Sequence, residues 1–71
     1  MKVGDYITLK NHFNIAYGRI IEGEFSLIAT PELEQLKGKR VKVVRFDLWT
    51  CNPIVEFNGK QFEVDITWVE R

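Results

Sequence analysis

Ile54-Val55-Glu56-Phe57-Asn58-Gly59-Lys60-Gln61-Phe62-Glu63-Val64-Asp65 reads as a β-hairpin. Asn-Gly accepts positive φ at both central positions of a two-residue turn, and that turn matches the twist of the strands it joins. On either side β-branched and aromatic residues are interleaved with charged ones, the pattern of a strand with one buried face. A lone hairpin is marginal in water, so the remaining chain must supply strands that cover its apolar face.

Working outward, Arg40 to Leu48 carries the strongest strand pattern, but its alternation slips. Val41 and Val43 share one face, whereas Val44, Phe46 and Leu48 fall on the other, so a bulge near Val43 and Val44 is expected to restore the phase. After the hairpin, Ile66-Thr67-Trp68 predicts a tight turn before Val69-Glu70-Arg71 closes the sheet. Before it, Thr30-Pro31-Glu32-Leu33-Glu34-Gln35-Leu36 has a helix-start signature, with Thr30 as cap, Pro31 at the first position and acidic residues in the first turn. Lys37-Gly38-Lys39 ends it, which leaves one or two turns with Leu33 and Leu36 on one face, a plug over an open barrel end.

Farther back, Tyr17 to Ile28 predicts strand, with Ile21, Phe25 and Leu27 on one face, Glu22, Glu24 and Ser26 on the other, and bends or bulges at Gly18 and Gly23. Asn11 to Ala16 shows no period and reads as a loop. Tyr6 to Lys10 alternates, with Ile7 and Leu9 pointing one way. Five strand signals with short turns predict an all-β domain over residues 1–71, a bent antiparallel sheet closed on itself.

The order Gly4-Asp5 before the first strand, a long first loop, Lys37-Gly38-Lys39, the Asn58-Gly59 hairpin and the Ile66-Thr67-Trp68 turn resembles an SH3-like barrel. This implies five strands in a partly open barrel with one short helical turn between strands; an OB-like barrel, which uses many of the same signals, is the alternative. The Ala-Leu-Tyr-Asp-Tyr segment, Trp-Trp pair and Pro-x-x-Tyr turn of peptide-binding SH3 domains do not occur, so polyproline recognition is not implied. Tyr17-Gly18-Arg19-Ile20-Ile21-Glu22-Gly23-Glu24 is loosely similar to the glycine-marked strand of KOW-type domains of transcription and ribosomal proteins.

Ten basic and ten acidic residues cancel, so no global field draws the chain to nucleic acid or an acidic membrane. A single cysteine, Cys51, and a single histidine, His12, exclude an internal disulfide and leave too few ligands for a structural zinc site. No cofactor is expected, because no glycine pair has phosphate-loop spacing. Met1 to Asp5 lacks the apolar run of a signal peptide, and no run of about 18 apolar residues occurs, so a cytoplasmic location is expected.

Catalysis needs a nucleophile with a positioned base, paired carboxylates or a metal. Ser26 and His12 have no partner nearby in sequence, Cys51 reads as a small, semi-buried loop residue, and Asp47, Glu56, Glu63 and Asp65 read as the solvated face of a sheet. No enzyme is expected. Two features point to binding instead. Phe13 and Tyr17 in the loop Asn11 to Tyr17, with Trp49 in the loop Leu48 to Pro53, are expected with neighbouring loop residues to flank a groove for another protein, since aromatics dominate interaction hot spots; Trp49 as a core cap is the competing reading. Lys37, Lys39, Arg40, Lys42 and Arg45 hold half of the ten basic residues within nine positions. They are the alternative site, contacting nucleic acid with Tyr6 or Trp49 for stacking, or else edge-protecting charges paired with Glu22, Glu24 or Glu63.

Overall fold

The computed structural model describes residues 1–23, 25–28 and 30–70, the segment 25–28 by its backbone. Among the described residues six strands form one antiparallel sheet: β1 Tyr6–Thr8, β2 Arg19–Glu22, β3 Phe25–Ile28, β4 Arg40–Phe46, β5 Pro53–Phe57 and β6 Lys60–Glu63, in the spatial order β1-β4-β5-β6-β2-β3. Leu9 bridges to Val69, which sets the C-terminal segment beside the end of β1. Among the described residues no ladder joins β1 to β3, so the sheet is open and not closed on itself.

The hairpin forms in the expected register, with Phe57 opposite Lys60, Asn58 at φ 51° and Gly59 at φ 77°. The bulge also forms. Val43 pairs with Val55 and Arg45 with Ile54, so Val44 is the extra residue. Val41 and Val43 face the core, and Phe46 packs against its margin. Leu48 is not part of this strand, which ends at Phe46 where Asp47 turns the chain away.

The expected single strand over Tyr17 to Ile28 is instead a hairpin. Gly23 at φ 60° reverses the chain, and Arg19 to Glu22 pair with Phe25 to Ile28. Its inward residue is Ile20 and not Ile21, because Ile20 lies opposite the buried Phe62 of β6. Two adjacent isoleucines satisfy either phase, so the pattern could not choose between them. The expected facing of Glu24, Phe25, Ser26 and Leu27 lies outside the described side chains, as does Arg71.

Pro31–Leu36 winds as a 3-10 helix, in which residues three apart eclipse, and so both Leu33 and Leu36 are fully buried. Thr30 occupies the cap position without making a side-chain cap bond. Together with Leu9, Ile20, Val41, Val43, Val55, Phe62, Val64 and Trp68, the two leucines make one core, to which β2, β4, β5 and β6 contribute buried residues and against which Ile7 of β1 packs. Asp65 caps the last 3-10 turn, Ile66–Trp68, by accepting from the Thr67 N–H at 2.9 Å, and this turns Trp68 inward. Gly18 has an ordinary φ of −121°, so it is not a bend residue. A Cβ there would lie 2.5 Å from the Trp68 ring and 2.9 Å from the Glu63 carbonyl oxygen, and glycine is needed for space.

Candidate protein-binding cleft

The loop from Asp47 to Asn52 joins β4 to β5 and is closed by its own hydrogen bonds. Asp47 Oδ2 accepts from the backbone N–H groups of Trp49 at 2.9 Å and Thr50 at 2.8 Å, the turn geometry a short carboxylate side chain favours. The Asp47 N–H donates to the Asn52 carbonyl at 2.9 Å, and Cys51 N–H donates to the Asp47 carbonyl at 3.0 Å. Cys51 adopts φ 62° and is exposed, not semi-buried as its sequence context suggested, because the tight turn aims its side chain outward. At the tip Leu48 and Trp49 are each 94% exposed, so Trp49 is no core cap.

This loop is tied to β2 and β6 through charge. Arg19 Nε donates to Glu63 Oε1 at 2.8 Å, and its Nη2 lies 2.8 Å from Asp47 Oδ1 and 2.6 Å from Glu63 Oε1. Glu63 Oε2 also accepts from Asn52 Nδ2 at 3.2 Å and lies 3.1 Å from the Thr50 hydroxyl. Glu63 is therefore buried, at 5% exposure, and not part of a solvated face. Arg19 and the two polar side chains offset the desolvation of its carboxylate. Of the other acidic residues, Asp65 caps its 3-10 turn and Glu56 lies exposed opposite Lys42.

The hydrogen bond from Thr50 N–H, with those from Trp49 N–H and the Thr50 hydroxyl and the charge of Arg19, holds the Asp47 carboxyl below its ordinary value of 3.8. A group lowered in the folded state contributes stability that is present above its unfolded value and is lost as pH falls through the folded one. The contribution of Asp47 to stability, followed by denaturant midpoint, should accordingly be present above about that ordinary value and fade as pH drops below it, with the Trp49 and Thr50 amides losing exchange protection in parallel. An Asp47→Asn protein should lose that part of the pH dependence.

Tyr17, 65% exposed, and Trp49 stand at the rim of a cleft of about 290 Å³, with Arg19, Asp47, Thr50 and Glu63 beneath them. Tyr17 reaches this place because the 3-10 turn Ile15–Tyr17, capped by Asn14, ends at Gly18 against Trp68. Two of the three aromatics expected to flank a groove thus come together. Phe13 does not join them: it stacks on Trp68 with ring centroids 4.0 Å apart and planes 10° apart, as a margin of the core.

The basic residues disperse. Lys37 pairs with Glu34 at 2.8 Å and lies over the Phe13 ring. Lys39 is exposed beyond the 3-10 helix. Arg40 sits 5.2 Å above the Tyr6 ring, while Lys42 stands between Tyr6 and Glu56 in the ladder. Arg45 shares a depression with Glu22, Glu56 and Lys60. Lys60 bonds Glu32 at 2.8 Å, and so does not add to the basic face of β4.

Sequence reasoning missed Arg19, and it included Leu48, Thr50 and Asn52 only as neighbours of Trp49 in its loop. For the loop a signal exists, since a carboxylate two and three residues before the Trp49 and Thr50 N–H groups is a turn-forming arrangement. Arg19 and Glu63 are 44 positions apart, and only the β2–β6 ladder joins them. Among the described residues no group of three or more His, Cys, Asp and Glu could hold a metal ion, and no helix is long and apolar enough to cross a membrane. Compared with protein-family models, with curated proteins and with solved structures, the chain finds no match.

Proposed function

We propose that this chain is a non-enzymatic binding module of the SH3-like barrel type that engages another protein through Tyr17, Leu48 and Trp49. The observation that carries the reading is the pair Leu48 and Trp49, each 94% exposed at the tip of a loop held by its own hydrogen bonds. Large apolar side chains on a pre-organised loop cost little further entropy on binding, and Trp and Tyr are the residues that most often anchor an interface. The SH3-like assignment is supported by the C-terminal segment lying beside the end of the first strand, and by the meander β4-β5-β6 pairing with that strand through β4. The β2–β3 hairpin lies within the long first connection.

A second reading is favoured by Arg40 above Tyr6, with Lys42 and Arg45 exposed on the same strand: a nucleic acid could stack on the ring and place phosphates on the cations. One experiment separates the two. Because Trp49 touches little, Trp49→Ala should leave stability within about 0.5 kcal/mol of the parent and weaken partner binding by about 2 kcal/mol or more, some thirtyfold. Tagged parent and variant are compared for capture of partners from the cells of origin, with and without nuclease, and the captured protein is then titrated. Loss with Trp49→Ala and survival of nuclease support the cleft. A partner that ignores Trp49 and vanishes with nuclease moves the site to the Arg40, Lys42 and Arg45 face.

A further inference from the structure

The cleft has a charge sign as well as a shape. One guanidinium, Arg19, faces two carboxylates, Asp47 and Glu63, so the polar base carries one more negative group than positive. Among the described residues no other charged side chain lines it. Two other surface depressions differ in this respect: one sets Arg45 and Lys60 against Glu22 and Glu56, the other Lys10 against Glu70, and both are balanced. Only the Tyr17–Trp49 cleft of these three combines an excess of one formal negative charge with exposed aromatic rings. Ring faces are negative, and a cation held over them is attracted most strongly where water is partly excluded.

We infer that the segment of the partner entering this cleft presents a cationic side chain, Arg or Lys, which lies between the Tyr17 and Trp49 rings above Asp47 and Glu63. The inference rests on the protein-binding reading and names the chemistry of its partner. Its physical basis is twofold. The rings supply contact area for the methylene stem and a quadrupole for the head group, and the excess carboxylate supplies a field of the right sign. The same field disfavours the phosphates of a nucleic acid and the side chains of an acidic segment, which would meet a like charge. The carboxylates are already held by Arg19, Thr50 and Asn52 and by backbone N–H groups, so the entering cation need not reorganise them.

The test uses the whole isotope-labelled chain and the probes Ac-Ala-Arg-Ala-NH2 and Ac-Ala-Lys-Ala-NH2, with Gln and Glu at the central position as controls, followed by NMR. The basic peptides should shift the Trp49 indole N–H and the Tyr17 and Arg19 amides saturably, and the Gln and Glu peptides should not. Asp47→Asn keeps an oxygen that can accept from Trp49 and Thr50, so the loop can be verified by those two amides. Removing that one charge should weaken the Arg peptide by about three- to tenfold at low salt and abolish most of its salt dependence. Equal binding of the Gln or Glu peptide, equal binding by Asp47→Asn, no shift with either basic peptide, or a shift of Trp49 by a short oligothymidylate would overturn the inference. If the basic peptides fail while Trp49→Ala still costs the protein partner its binding, the cleft stands and only its preference for a cation falls. If Trp49→Ala is also without effect, both fall.

Discussion

Trp68→Ala should cost about 3–5 kcal/mol, the range for truncating a buried large aromatic. A domain of this size has about 4–10 kcal/mol in total, so the variant should be close to unfolding at room temperature. Trp68 is 2% exposed, belongs to the buried core, carries Phe13 stacked on its ring, and leaves room for no side chain at position 18. The same contact is testable from the other side. Gly18→Ala puts a methyl group where the Trp68 ring and the Glu63 carbonyl already are, and overpacking of this kind costs about 1–3 kcal/mol. In the Trp68→Ala background part of that clash is gone, so the two costs should sum to more than the double variant shows. Urea denaturation of the four proteins measures the coupling. Strict additivity would mean that the ring does not sit against Gly18.

Arg19→Met is the second large effect. It keeps the stem of the side chain but leaves Glu63 buried beside Asp47 with no cation between them. Removing one member of a fully buried pair costs about 3–5 kcal/mol. Arg19 keeps 32% side-chain exposure and water can reach the gap, so about 2–4 kcal/mol is expected here. Adding Glu63→Gln should recover more than half of the loss, because an amide can still bond Thr50 and Asn52 and carries no charge to desolvate. Arg19→Met should also loosen the 47–52 loop, which amide exchange at Trp49 and Thr50 reports. A loss that Glu63→Gln does not relieve would mean that packing of the arginine stem, and not charge, is what β2 and β6 depend on.

These two sites differ in how far they could be read in advance. The Asn58-Gly59 turn, the bulge at Val44, the inward Leu9, Val41 and Val43, and the shared face of Leu33 and Leu36 all follow from rules acting over a few residues: turn φ, strand alternation and the repeat of a short helical turn. The Ile66–Trp68 turn is similarly local, since Asp65 reaches only to Thr67. Where local rules are degenerate they failed, as at Ile20 and Ile21, whose phase is set by Phe62 more than forty positions away.

The candidate site divides the same way. That Tyr17 and Trp49 belong together was legible as two aromatic-bearing loops, but Phe13 looked equivalent to them and is not, because its ring stacks on Trp68. Nothing in the local pattern of Lys60 to Asp65 distinguishes Glu63 from an ordinary outward carboxylate. The ladder that sets it opposite Arg19, and the loop that brings Asp47, Thr50 and Asn52 over both, turn it inward.

The sequence by itself therefore determined the β character, the hairpin, the bulge and most of the core, since each depends on backbone preferences and periodicity within one segment. Only the tertiary structure decided that the sheet stays open, that Arg19, Asp47 and Glu63 form one network, and which aromatics remain exposed. Those outcomes depend on which distant strands pair and in what register, and pairing between distant strands is set by the packing of the whole core and not by any one stretch of chain.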